Sequence, residues 1–91
     1  MIYWHRFPEE INIAPNAKGV YILGDAGQTP VYVGRSANLY ERLSEHPDPN
    51  NYCLQKKNIK YFAFEETHNS EPRERELIEE YDPECNRTQQ E

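Results

Sequence analysis

Residues 19–34 read GVYILGDAGQTPVYVG. The stretch holds two short runs, Val20-Tyr21-Ile22 and Val31-Tyr32-Val33, with Gly19 and Gly34 at the outer ends. Ten residues separate the two tyrosines. β-Branched and aromatic residues in short runs favour strands. The cluster Gly24-Asp25-Ala26-Gly27, with Pro30 beyond it, reads as a turn. The stretch therefore predicts an antiparallel hairpin. Alternation predicts that Val20, Ile22, Val31 and Val33 face the core and that Tyr21 and Tyr32 share the other face.

The pattern continues outward on both sides. Ser36 suits the cap of a helix from about Ala37 to His46, with Leu39 and Leu43 as its buried stripe. Arg42 and His46 are four apart and share a face beside that stripe. Pro47 and Pro49 stop the helix. After a loop or short helix, Ile59 to Phe64 reads as a third strand, apolar on nearly both faces and so central or covered on both sides. Ser70 caps a last helix to about Tyr81, with Pro72 tolerated in its first turn and Pro83 opposing continuation. The expected fold is α/β (α+β): a small three-stranded, antiparallel-type sheet flanked by helices in the order β-β-α-β-α. Residues 1–14, with Trp4 and Phe7, either add an edge strand or cover the sheet, their aromatics belonging to the core.

The last helix singles out one acid. Its apolar residues are Leu77, Ile78 and Tyr81, and three to four positions back from the first two lies Glu74. Glu76, Glu79 and Glu80 point elsewhere. A carboxylate on an inward stripe is costly unless paired, hydrogen-bonded or bound to a cation. Periodicity leaves two readings open: an ion pair at the edge of the core, with Arg42 a candidate, or a bound cation.

Ninety-one residues make one domain, 1–91. The net charge is −6, split unevenly: −1 over residues 1–34, +2 over 35–62 and −7 over 63–91. That balance argues against tight non-specific nucleic-acid binding, which relies on neutralising phosphates, but leaves room for a local basic patch. No apolar run approaches the roughly 20 residues of a membrane span, and the N-terminus lacks a signal-like pattern. Cys53 and Cys85 form no CxxC pair, and reduced thiols are expected. The expected setting is cytoplasmic.

Two strand tyrosines, a helical arginine and an inward carboxylate form a chemically coherent set. A tyrosine hydroxyl, with an ordinary pKa near 10, becomes a useful base only beside cations. Arginine is a fixed cation whose fork matches phosphate. A lone carboxylate suits Mg²⁺, which keeps most of its waters. Together they suit phosphodiester hydrolysis.

In these residues the sequence resembles the GIY-YIG nuclease family. Gly19-Val20-Tyr21 is similar to the family's GIY element and Tyr32-Val33-Gly34 to its YIG element. Gly34 to Leu43 is similar to its G-x-[ST/A]-x-x-L-x-x-R-L segment, which ends here in Arg42-Leu43, and His46 follows four residues after Arg42. Glu74-x-x-Leu77-Ile78, then Pro83-Glu84-Cys85-Asn86, is similar to its E-x-x-L-I and P-x-x-N elements. The resemblance spans about residues 15–86. It implies a metal-dependent endonuclease acting on DNA rather than RNA, with one Mg²⁺ or Mn²⁺ held by Glu74. It implies that Arg42 stabilises charge on the scissile phosphate and that Tyr21 orients or deprotonates the attacking water. Tyr32 and His46 would contact phosphate or share the proton transfer. Arg35 and Gly34 would lie against the substrate, and Asn86, grouped with them, would tie the C-terminal tail to the core. The acidic C-terminal third admits a protein partner that supplies target recognition. It also admits an alternative: a catalytically inactive binding or regulatory module on the same fold.

Overall fold

The computed structural model describes residues 2–45 and 51–89. The chain runs through β1 (His5–Arg6), a 3₁₀ turn (Ile11–Ile13), β2 (Gly19–Gly24), β3 (Pro30–Ser36), α1 (Leu39–Ser44), α2 (Tyr52–Gln55), β4 (Tyr61–Glu66), α3 (Ser70–Tyr81) and α4 (Glu84–Gln89). The sheet has four antiparallel strands in the order β1-β4-β2-β3. The expected three-stranded sheet thus gains a fourth strand, because His5 and Arg6 pair with Phe62 and Tyr61. From β2 to α3 the order of the elements is the expected one, with β4 inside the sheet and β3 at its edge.

The hairpin forms as its sequence predicts. In its turn the Asp25 carboxylate accepts hydrogen bonds from the backbone N–H groups of Gly27 and Thr29 at 2.9 and 3.0 Å, an Asx-type device that replaces strand pairing locally. Tyr21 pairs with Gly34, Ile22 with Val33 and Leu23 with Tyr32, and the register then shifts between Leu23 and Gly24. The shift sets two residues of β3 against one of β2. Val31 and Tyr32 therefore fall on the same side.

That irregularity corrects the expected facing. The sheet is buried on both faces. Val20, Ile22, Val33 and Ala63 pack with Leu77 of α3 on one side. Tyr21, Leu23, Val31 and Phe62 pack with Leu39, Leu43 and Leu54 on the other. Tyr21 is thus itself a core residue, only 1% exposed, and Val31 joins its cluster instead of that of Val20. Trp4 and Phe7 pack against the two cores, one on each side.

Helix boundaries move for local reasons. Ser36 ends β3 and its hydroxyl is engaged with the backbone of Asn38. Asn38 caps α1 instead, its side chain accepting from the N–H of Glu41 at 3.0 Å. Ser70 is the first residue of α3, preceded by Asn69 without a side-chain cap bond. Asp82 ends α3 with φ of 44°, a left-handed conformation that reverses the chain. Pro83 then starts the chain afresh and allows α4, which the sequence pattern does not announce.

Cys53 of α2 and Cys85 are joined by a disulfide, with Cα atoms 5.4 Å apart, inside the range a disulfide spans. This overturns the expectation of reduced thiols. Spacing along the chain could not show that α2 and α4 are neighbours. It also removes the cysteine argument for a reducing compartment. Lys57, just beyond α2, meets Glu84 of α4 at 2.8 Å, and its hydrogen bond holds the Glu84 carboxyl below its ordinary range. Among the described residues no helix is long and apolar enough to cross a membrane.

With its ends 32 positions apart in the chain, the cross-link should stabilise the fold by about 3–4 kcal/mol on the loop-entropy estimate. Denaturant titration with and without reductant checks this. Reduction should lower the midpoint of the wild-type chain and leave that of Cys53→Ser unchanged.

Candidate active site

The site is built around the end of edge strand β3. Gly34 lies opposite Tyr21 in the ladder, and the tyrosine ring fills the space where any other residue would carry its Cβ. A Cβ added at Gly34 would stand 2.5 Å from both Cζ and Oη of Tyr21. Glycine is required here by the neighbouring phenol. The structure thus gives Gly34 a packing role against the Tyr21 ring.

The buried phenol is held at its tip. Arg42 Nε, on α1, donates to Tyr21 Oη at 3.2 Å, and Arg42 Nη1 reaches Glu45 at 3.4 Å. The Asn38 cap and the burial of Leu39 and Leu43 fix the rotation of α1 that makes this possible. The ring of Tyr32 lies 6.1 Å from that of Tyr21, tilted by 46°, so the two phenols share one face as expected. His46 falls outside the described residues.

Arg35, the residue after Gly34, points to the opposite face, where Val20 pairs with it. There Arg35 Nε meets Glu74 Oε1 at 3.2 Å and Arg35 Nη2 meets Glu71 Oε2 at 3.5 Å. The Glu74 side chain is 24% exposed, while Glu76, Glu79 and Glu80 are exposed, as the periodicity of α3 requires. Its ionic partner is Arg35, not Arg42. The structure thus sets out two groups on either side of β3: Tyr21, Tyr32 and Arg42 on one, Arg35 and Glu74 on the other.

Asn86 belongs to neither group. Its carboxamide accepts from the N–H of Val33 at 2.7 Å and donates to the C=O of Val33 at 2.8 Å. Buried, it is a tie between α4 and β3.

Arg35 is the shared wall of two shallow hollows. One, of about 440 Å³, is lined also by Glu71, Glu74, Arg75, Ile78 and Glu79. The other, of about 390 Å³, is lined also by Lys18, Ser36, Ala37 and Ser70. Lys18 is exposed and makes no ion pair among the described residues. No sequence pattern marks it beyond its position one residue before Gly19.

No group of three or more His, Cys, Asp or Glu side chains is placed to hold a metal among the described residues. One half-buried carboxylate does fit Mg²⁺, which binds through one or two carboxylates and retains its waters.

Fold, motif order and paired tyrosines define a nuclease domain. Residues 17–89 match the GIY-YIG catalytic domain, and the chain belongs to the GIY-YIG family. Its structure is similar to that of the GIY-YIG N-terminal endonuclease domain of UvrC from Thermotoga maritima bound to its catalytic divalent cation, magnesium. The TM-score is 0.66 at 25% identity, covering 85% of this chain and 91% of that one. A point mutant of the same Thermotoga domain, also bound to its catalytic divalent cation, matches with a TM-score of 0.62 at 24% identity over 85% and 90% of the two chains. No curated protein matches the sequence.

Gly34→Ala should cost about 1–3 kcal/mol through overpacking against the Tyr21 ring. In a Tyr21→Ala background the same substitution should cost much less. A double-mutant cycle by chemical denaturation measures the difference, and equal costs would show that the ring is not what Gly34 accommodates.

Proposed function

We propose that the chain is a divalent-metal-dependent endonuclease that hydrolyses phosphodiester bonds of DNA. The observation that carries this reading is the contact of the Arg42 guanidinium with the hydroxyl of Tyr21 at 3.2 Å. It couples two of the matched motif elements in one polar contact at the rim of the core. A phenol hydroxyl both accepts and donates hydrogen bonds. Such a group is suited to orient a water or to pass a proton.

In this reading Arg42 stabilises the charge that develops on the scissile phosphate, as a fixed cation in a partly buried setting. Tyr21 orients or deprotonates the attacking water. Tyr32, on the same face, contacts phosphate or shares the proton transfer with His46. Arg35 and Lys18 bind phosphate oxygens in the hollow that they line together. Glu74 holds one Mg²⁺ or Mn²⁺, which when bound supplies Lewis-acid stabilisation of the phosphate and leaving oxygens. Gly34 keeps the strand close to Tyr21, and Asn86 keeps it in register. The similarity to a magnesium-bound endonuclease domain supports the cation and the substrate class. A protein partner that contributes target recognition is compatible with the small basic surface, and a cytoplasmic setting is the remaining expectation.

Nicking of supercoiled plasmid DNA with Mg²⁺ tests the proposal. Cleavage should vanish with chelator and fall by about 100-fold or more in Glu74→Ala and in Arg42→Ala. Cleavage that survives Glu74→Ala would overturn the mechanism. An inert wild type on every DNA and RNA form would leave the non-cleaving binding module as the function.

Lys18→Ala should weaken DNA binding uniformly across sequences. It should reduce the slope of log affinity against log salt by about 1, as loss of one phosphate contact requires. Fluorescence anisotropy across a salt series in chelator checks it.

A further inference from the structure

The carboxylate assigned to the cation is already occupied by a cation of the chain itself. Arg35 Nε lies 3.2 Å from Glu74 Oε1, and the other branch of its guanidinium lies 3.5 Å from Glu71. Arg75 adds a third contact, to Glu71 at 3.7 Å. The hollow that these residues line with Glu79 thus sets two guanidinium groups against three carboxylates. A divalent ion arriving at Glu74 meets a largely neutralised surface and must displace Arg35 from the oxygen it needs.

Arg35 has somewhere else to go. Its backbone is fixed in the ladder opposite Val20, but its side chain is 49% exposed and also lines the neighbouring hollow with Lys18. A guanidinium fork matches phosphate as well as carboxylate. Rotation of one long side chain, with no backbone movement, exchanges the first partner for the second.

We propose that Arg35 is an internal counter-ion that sets the metal affinity of Glu74. Held on Glu74 and Glu71 in the absence of substrate, it keeps cation binding weak. Drawn onto a phosphate, it frees the carboxylate, so metal loading and nucleic-acid binding favour each other, and by linkage the coupling is reciprocal. This inference rests on the assignment of Glu74 to the cation, but its test reads metal and DNA binding separately from cleavage.

Mn²⁺ binding is measured by electron paramagnetic resonance without nucleic acid, on wild type, Arg35→Gln, Arg35→Lys, Arg75→Gln and Glu74→Gln. Arg35→Gln should bind Mn²⁺ about fivefold more tightly, the scale of a partly exposed ion pair. Arg35→Lys should return toward wild type. Arg75→Gln removes the same charge from the same hollow without touching Glu74 and should change affinity less. Equal affinities in wild type and Arg35→Gln, or equal effects of Arg35→Gln and Arg75→Gln, would overturn the counter-ion role. Mn²⁺ binding that persists in Glu74→Gln would overturn the metal assignment itself and the proposal with it.

The second arm measures binding of a labelled DNA duplex in chelator. Glu74→Gln should tighten it several-fold more than Glu79→Gln, which removes an equal charge from the same hollow. That excess should disappear in the Arg35→Gln background. An excess that remains would sink the idea that Arg35 carries the coupling.

Discussion

The carboxamide of Asn86 lies along the outer edge of β3 and satisfies both the N–H and the C=O of Val33, at 2.7 and 2.8 Å. An edge strand ordinarily presents such groups to solvent or to another chain. Buried and unpaired, each would cost on the order of 1–3 kcal/mol. The bond does more than satisfy them, because it fixes the register of the strand that carries the site. A slip of one residue would exchange Gly34 for Val33 or Arg35 opposite Tyr21. Any Cβ there would collide with the phenol, as the 2.5 Å separations from Tyr21 show. The position of Tyr21 against Arg42, the shared face of Tyr21 and Tyr32, and the projection of Arg35 toward Glu74 all follow from this register. The disulfide between Cys53 and Cys85 secures the helix that carries Asn86, so a covalent bond outside the site supports the bond that organises it.

Much of this was legible in the sequence because it rests on local periodicity. The hairpin of residues 19–34 is written in two β-type runs and a glycine-rich turn. Glu74 is marked because one helix cannot turn Leu77 and Ile78 inward without turning Glu74 partly inward too. These are consequences of 3.6- and 2-residue repeats, which hold before tertiary packing is known. What the sequence did not disclose depends on which elements meet. The β1 pairing involves two residues, too few for a pattern. The bulge that puts Val31 beside Tyr21 depends on how the turn closes. The disulfide requires α2 and α4 to be neighbours. Ser36 and Asn38 both suit a helix cap, and the choice between them follows from where strand pairing ends. The family motif likewise marked Gly34, Arg35 and Asn86 without telling which of them face a ligand. In the structure Gly34 serves the Tyr21 ring and Asn86 serves Val33.

The paired arginines of the two faces divide the work. Arg42 is tied to a core phenol and to Glu45, so its position is inherited from the hydrophobic packing of α1. Among the described residues Arg35 is tied to carboxylates near the surface. Exposed pairs of that kind are worth little, typically under about 1 kcal/mol, and exchange readily. One guanidinium is therefore placed by the fold, and the other is placed by charges that a ligand can compete for. A surface built to receive a polyanion benefits from both: a rigid cation fixes the geometry, and an exchangeable one keeps the unliganded site from accumulating positive charge.

That division also resolves the charge distribution along the chain. The sequence places a basic middle ahead of an acidic C-terminal third, which suggests two opposed regions. The fold interleaves them. Arg35 and Lys57, both from the basic segment, close onto Glu74 and Glu84 from the acidic one, at 3.2 and 2.8 Å. Within the acidic third, Arg73 binds Glu65 and Glu76, contacts that hold its guanidinium more firmly protonated, the bond to Glu65 first. Segregation in sequence thus becomes short-range neutralisation in space, which salt screens far less than it screens a diffuse field acting beyond roughly 8–10 Å. The cost falls on the proposed substrate, since a phosphate that takes Arg35 must replace a carboxylate already there. Binding on these terms is an exchange of ion pairs, weaker than binding to a bare basic patch and dependent on the phosphate reaching the strand end where Lys18 and Arg35 meet.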